Sequence, residues 1–177
     1  MLDLKRPLII LDVETTGTHP QFDRVVQVGL VKVYPEGRET TWMSLINPGM
    51  PIPPETSAIH GITDEMVRSA PTFKTIAPPL AAGLKGCDLA GFQIQFDKFF
   101  LEKEFERCGG RNIFEGARIV DALRIYKQRH PRTLTAAVEE YLGEKLEGAH
   151  DALVDATATW RVIQAQMKTL SRSAWGR

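Results

Sequence analysis

Residues Leu8–Gly17 read LIILDVETTG, and this stretch decides the fold. Four apolar residues run into Asp12, Val13 and Glu14, the pattern of a short central strand, buried on both faces, that ends in two carboxylates. Thr15, Thr16 and Gly17 then break it. Side chains at i and i+2 of a strand share a face, with α carbons about 6.5 to 7 Å apart at about 3.3 Å rise per residue. Two acids therefore converge on one small volume. Like charges at that range repel and raise the pKa of one of the pair unless a cation sits between them, and oxygen-only ligation with room for water suits Mg²⁺ or Mn²⁺.

Outward from this strand, Val25 to Tyr34 is rich in valine and reads as a second strand. Pro35, Glu36 and Gly37 supply a turn, and Arg38 to Ile46 a third strand, which together predict an antiparallel three-strand meander. NPGMPIPPE (47–55) is too proline-rich for helix or central strand and is expected to be an ordered crossing loop. A helix start follows at Thr63. Phe73, Ile76, Leu80 and Leu84 fall at helical spacing, although Pro78 and Pro79 count against the early turns. Cys87 to Phe92 predicts a fourth strand, Asp97 to Arg107 a helix with Phe99, Phe100 and Phe105 toward the core, and Arg118 to Ala122 a fifth strand. Helices over Leu123 to Arg129, Leu134 to Leu142 and from Asp151 onward, with Trp160 on its apolar face, complete an α/β chain. The expected architecture is a mixed five-stranded sheet, the meander plus two parallel strands, flanked by helices.

The 177 residues hold 22 basic and 22 acidic side chains and so carry no formal net charge. One domain over 1–177 of that size buries roughly 70% of its unfolded surface and needs no staples. Coating of long duplex is disfavoured, because phosphate neutralisation supplies most of such affinity, whereas gripping a strand end is permitted. Cys87 and Cys108 stand alone without CxxC spacing, as in a reducing compartment. No apolar run reaches the roughly 18 residues of a membrane span, and Asp12 interrupts the N-terminal one. A cytoplasmic protein without membrane contact is expected.

Two further segments carry acids in a similar setting. GFQIQFD (91–97) puts Asp97 at a helix start, and AHDALVDA (149–156) puts His150 before the last helix and Asp155 in its first turns. Helix starts favour negative charge. Asp12, Glu14, Asp97 and Asp155 would suffice to hold two divalent cations of the kind used in phosphoryl transfer.

Read in order, DVETTG, FQIQFD and HDALVDA resemble the three motifs of the DEDDh exonucleases, the RNase H-like 3′ to 5′ exonucleases that include the proofreading epsilon subunit of bacterial DNA polymerase III. NPGMPIPPETSAIHGITDEMV (47–67) resembles the epsilon-like branch, so the likeness covers roughly residues 7 to 165. It implies that Asp12, Glu14, Asp97 and Asp155 bind two Mg²⁺ or Mn²⁺ ions and that His150 is the base that deprotonates the attacking water. A histidine with a pKa near 6.5 suits that task. It also implies that Thr15, Thr16, Gly17, Ile59, His60 and Phe96 line the pocket of the terminal nucleotide. One departure stands out: the second motif usually has Asn where this chain has Gln93.

The function implied is metal-dependent removal of nucleoside 5′-monophosphates from the 3′ end of single-stranded DNA, alone or in proofreading or repair. An RNA exonuclease similar to oligoribonuclease or RNase T is the alternative on the same fold, since only a 2′-OH contact separates the two. A non-catalytic exonuclease-like binding module would be expected to have lost an acid, and all four are present. Association with a DNA polymerase is compatible with the likeness, but the chain shows no long docking tail after the last helix. Arg118, Arg124, Lys127, Arg129 and Arg132, against the single acid Asp121, form a basic segment that is either a solvated face or a contact for the upstream backbone.

Overall fold

The computed structural model describes residues 4–111, 113–129, 133–147 and 152–174. The chain divides into two compact units, Met1–Leu123 and Arg124–Arg177.

The first unit is built on a five-stranded sheet formed by β1 (Leu8–Thr15), β2 (Val25–Val33), β3 (Glu39–Leu45), β4 (Asp88–Gly91) and β5 (Ile119–Asp121) in the order β3-β2-β1-β4-β5. β1 to β3 form the antiparallel meander, and β4 and β5 join parallel to β1. The mixed RNase H-like sheet expected from the sequence is thus present, with the acid-bearing strand at its centre.

Leu8 and Ile9 are buried together, and beyond them β1 alternates: Leu11, Val13 and Thr15 are buried while Ile10 and Asp12 are exposed. The unbroken apolar run therefore does not mean burial on both faces along its length. Ile9, Leu11 and Val13 pack with α3 (Phe73–Leu84), through Phe73, Ile76, Leu80 and Leu84, and with α4 (Gln95–Arg107), through Phe100, Leu101 and Phe105. Phe73 and Phe105 meet edge to face with centroids 5.1 Å apart. Phe99 instead points to solvent, 53% exposed, so only two of the three expected phenylalanines of this helix join the core.

Two local expectations change. The proline-rich crossing segment gives way at Pro54 to the short helix α1 (Pro54–His60), because proline is tolerated in a first turn, where its missing N–H has no partner to lose. Gly61 ends it in the left-handed region at φ 77°. α3 runs unbroken through Pro78 and Pro79, although each removes a backbone donor. The buried stripe Phe73, Ile76, Ala77, Leu80 and Leu84 holds the helix together across that defect. A second, smaller core of Val26, Ile52, Ile62 and Val67 anchors the crossing segment and α2 (Asp64–Val67).

The helix α5 (Ala122–Arg129) begins directly after β5. In the second unit, α6 (Leu134–Leu142) packs on α7 (Ala152–Ala174) around Val138, Ala158 and Val162. Thr133 caps α6 by accepting the Ala136 N–H at 3.1 Å, and Gly143 closes it in the left-handed conformation at φ 69°. Arg161 holds Glu144 through two hydrogen bonds of 2.7 and 2.9 Å. Trp160, expected on the apolar face, is instead exposed. Among the described residues, no helix is long and apolar enough to cross a membrane.

Candidate active site

The antiparallel register sets Asp12 opposite Gly29 and Glu14 opposite Gln27. Directly paired residues of two strands share a face, so Gly29 flanks Asp12, and a Cβ built there would meet nothing within 4 Å. Open space thus lies beside the Asp12 carboxylate. Immediately after Glu14 the pairing slips by one residue, Thr15 standing opposite Val25. Such a bulge bends the strand, and the chain leaves the sheet after Thr15, through Thr16 and Gly17.

Asp97 reaches the same strand from α4. β4 runs beside β1 only from Leu8 to Ile10, so the Val13 N–H beyond that ladder has no strand partner on this side. Asp97 Oδ1 accepts it at 2.9 Å. The carboxyl is buried, only 4% exposed. Its pKa is pushed up to about 6, first by burial and then by the charges of Asp12 and Glu14, against the opposing pull of the Val13 N–H. Glu14 is raised as well, by burial and then by Asp12, while His60 lowers it. Three carboxylates therefore act on one another's charge at one end of β1.

Their chemistry fits a hard divalent cation, which takes oxygen ligands and relieves this repulsion. Among the described residues, no three His, Cys, Asp or Glu side chains close into a cage that could hold an ion unaided. Asp97 has one oxygen already committed to Val13, and Mg²⁺ ordinarily keeps several waters rather than an all-protein shell.

The residues expected around the terminal nucleotide divide by what they touch. The Thr15 hydroxyl donates to the Gly17 carbonyl at 2.6 Å. The Thr16 hydroxyl donates to Asp23 Oδ1 at 3.3 Å and accepts the Arg24 N–H at 3.0 Å. Both serve the turn itself. At Gly17 a Cβ would sit 2.6 Å from the Asp23 carboxyl carbon, so the Asp23 side chain, which also accepts the His19 N–H at 2.8 Å, would have to shift. His60 accepts the Ile62 N–H on Nδ1 at 3.0 Å, which places the proton of the neutral ring on Nε2. That nitrogen is buried and has no hydrogen-bond partner among the described residues. Ile59, beside it, is 84% exposed. Phe96 packs on Phe100 at a centroid distance of 4.8 Å.

Asp155 lies in the first turn of α7, within the second unit. His150 and Arg132 fall outside the described residues. Of the basic segment, Arg118 is spoken for: its Nε and Nη2 bind Asp88 Oδ2 at 2.9 and 2.6 Å.

Gln93, the departure in the second motif, adopts φ 69°, and no other described non-glycine residue has a positive φ. Asparagine visits that region far more readily than most residues, so a backbone requirement explains the usual Asn. Here the Gln93 N–H is held by Asp121 Oδ1 at 3.1 Å, which also accepts the Leu123 N–H at 2.9 Å. Sequence reading gave no role to Asp121, Asp23 or Gly29. Only Gly29 left a signal, as a glycine inside the valine-rich run VVQVGLVKV.

A family model described as an exonuclease, of the RNase T type, matches residues 9–163. The 3′-5′ exonuclease DinG of Staphylococcus epidermidis is 32% identical over 158 residues, which take in 87% of this chain and 17% of that protein. DinG of Staphylococcus aureus is 30% identical over 158 residues with the same coverage. The chain thus spans less than a fifth of the length of these relatives. Among solved structures, E. coli exonuclease I in complex with a dT13 oligonucleotide matches with a TM-score of 0.65 at 20% identity, over 93% of this chain and 41% of that one. A product-bound exonuclease I matches at 0.64 and 18% identity, over 92% and 43%. The last two likenesses are of fold.

Proposed function

The chain belongs to the RNase T-type exonuclease family, and on that premise we propose that it is a metal-dependent 3′ to 5′ exonuclease acting on single-stranded DNA. One observation carries the reading. A buried carboxyl, Asp97, is fastened to the backbone of the strand that bears Asp12 and Glu14, where burial and then like charges push its pKa up to about 6. At neutral pH such a group is ionised at a cost, and a bound cation offsets that cost.

Asp12, Glu14 and Asp97 would hold the divalent ion, Mg²⁺ or Mn²⁺, and the third-motif resemblance adds Asp155 as a fourth carboxylate, enough for two ions. When bound, the ions supply charge neutralisation for phosphodiester hydrolysis. His150 takes the proton of the attacking water, and the released product is a nucleoside 5′-monophosphate. The turn Thr15–Gly17 offers backbone groups to the terminal nucleotide, since its hydroxyls are bonded within the turn. Exposed Ile59 and the ring of Phe96 give its base apolar surface, and such stacking is tolerant of sequence. The buried His60 Nε2–H is a donor awaiting an acceptor beside Glu14.

DNA is favoured because the exonuclease I of matching fold is complexed with a deoxyoligonucleotide. The absence of net charge suits a grip on one strand end rather than a coat along a duplex. Purified protein with Mg²⁺ and end-labelled single-stranded DNA and RNA of matched sequence tests this. A ladder from the 3′ end of DNA is expected. No ladder on either polymer would sink the nuclease reading, and a ladder from RNA alone would sink the DNA assignment.

A further inference from the structure

The helix that brings Asp97 to β1 carries a second buried acid to which the chemistry above gives no task. Glu104 lies about two helical turns after Asp97 on α4, and it is wholly buried. Its carboxylate accepts Arg24 Nε at 2.7 Å and Arg24 Nη2 at 2.9 Å, the Val25 N–H at 3.2 Å, and pairs with Arg107 Nη1 at 3.3 Å. The two guanidiniums reach further: Arg24 Nη1 donates to the Pro48 carbonyl at 3.1 Å, and Arg107 Nη2 to the carbonyls of Pro20 and Gln21 at 2.7 and 3.0 Å.

Burying a carboxylate costs free energy even when it is paired, and apolar packing of the same volume often does as well for stability. What a two-pronged guanidinium contact adds is direction. Here α4 is fastened to the sheet at two places. Near its start, Asp97 holds the Val13 N–H of β1. Two turns on, Glu104 holds Arg24 and the Val25 N–H, where β2 begins. Phe100, Leu101 and Phe105 press the helix onto the core, but apolar packing is non-directional and leaves it some freedom to slide and rotate about a single hydrogen bond, while the charges of Asp12 and Glu14 press on Asp97. The second attachment removes that freedom. It also reaches the turn after β1, since the Thr16 N–H donates to the Arg24 carbonyl at 2.9 Å and the Arg24 N–H donates to the Thr16 hydroxyl.

We propose that Glu104 is a positioning residue: through Arg24 and the Val25 N–H it fixes where Asp97 stands against Asp12 and Glu14, and so sets the affinity of this acid cluster for a divalent ion. The inference rests on one part of the proposed function, that this acid cluster binds a divalent ion. The test measures Mn²⁺ binding by electron paramagnetic resonance on the full chain, alongside melting temperature and cleavage, for wild type, Glu104→Gln and Arg24→Lys. Glu104→Gln keeps an acceptor for Val25 and removes the charge; Arg24→Lys keeps a charge and removes the fork.

Groups bonded directly to metal ligands typically alter affinity about 10- to 100-fold; Glu104 acts one step further out, so Glu104→Gln should raise the Kd for Mn²⁺ by about 10-fold, the low end of that range, and Arg24→Lys by less. Saturating metal should restore most of the cleavage rate in both. An ion pair that only stabilises the fold would lower the melting temperature and leave the Kd untouched; unchanged Kd in the folded variants overturns the proposal. Should Glu104→Gln fail to fold, Arg24→Lys, whose guanidinium is partly exposed, decides the same question through its own Kd. A wild type that binds Mn²⁺ without cleaving DNA would sink the nuclease reading and leave this inference standing, whereas a wild type that binds no Mn²⁺ overturns it.

Discussion

Replacing Asp97 by Asn tests the electrostatic reasoning on which the site rests. Asn keeps an oxygen for the Val13 N–H and removes the charge, so the change isolates what ionisation costs. The folded-state pKa of about 6 lies above the ordinary aspartate value of 3.8. For an acid, that direction means ionisation opposes folding. The penalty is absent below the unfolded pKa, grows as pH rises through the window between the two values, and is complete above the folded one. The gap of about 2 pH units corresponds to about 3 kcal/mol at 1.36 kcal/mol per unit, an upper figure. At about 2 to 4 °C per kcal/mol for a chain of this size, the metal-free variant should melt up to about 6 to 12 °C above wild type at pH 7.5. The gap should close near pH 4. Scanning calorimetry in EDTA at both pH values measures it. Added Mg²⁺ should then raise the melting temperature of wild type and not of the variant, and cleavage should be lost. A variant less stable than wild type by the same amount at both pH values would refute the reasoning, since the charge would then carry no penalty.

Gly29→Val puts a β-branched side chain, favoured in strands, into the open space beside Asp12; cleavage should fall sharply while the melting temperature holds, and full activity would show that this space is not used. Gln93→Asn should stabilise by up to about 1 kcal/mol in urea titrations, because Asn is the better residue at φ 69°. Loss of stability there would mean the glutamine side chain holds the turn. Gly17→Ala drives a methyl into the Asp23 carboxyl and should cost about 1 to 3 kcal/mol, the range for strained or overpacked sites, together with most of the activity. A normal melting curve would show that the turn can move aside.

Much of the fold was legible because its signals are local. Apolar runs bounded by Gly, Pro and acids marked all five strands, and the helix expected over Leu134 to Leu142 is α6 with those bounds. The failures were equally local in cause. α1 hid in a proline-rich segment because Pro54 stands in its first turn, where proline does no harm. Phe99 and Trp160 fall at helical spacing yet face solvent, since periodicity locates a stripe without fixing its width. For the site, Asp12, Glu14 and Asp97 were readable from strand and helix boundaries, and the structure brings these three to one strand end. The contacts that shape the backbone around them were not. Arg24 and Glu104 are 80 residues apart in sequence, and no spacing rule links the start of a strand to a helix so distant along the chain. Asp121 likewise holds Gln93 across 28 residues.

The most direct test of the central claim follows the product rather than the fold. A 3′-end-labelled single-stranded oligodeoxynucleotide is incubated with wild type or Asp12→Ala, in Mg²⁺ or in EDTA, and the released label is identified by chromatography. A nucleoside 5′-monophosphate is expected from wild type in Mg²⁺ alone, and none from a folded Asp12→Ala. Unchanged release from Asp12→Ala, or release in EDTA, would contradict that claim.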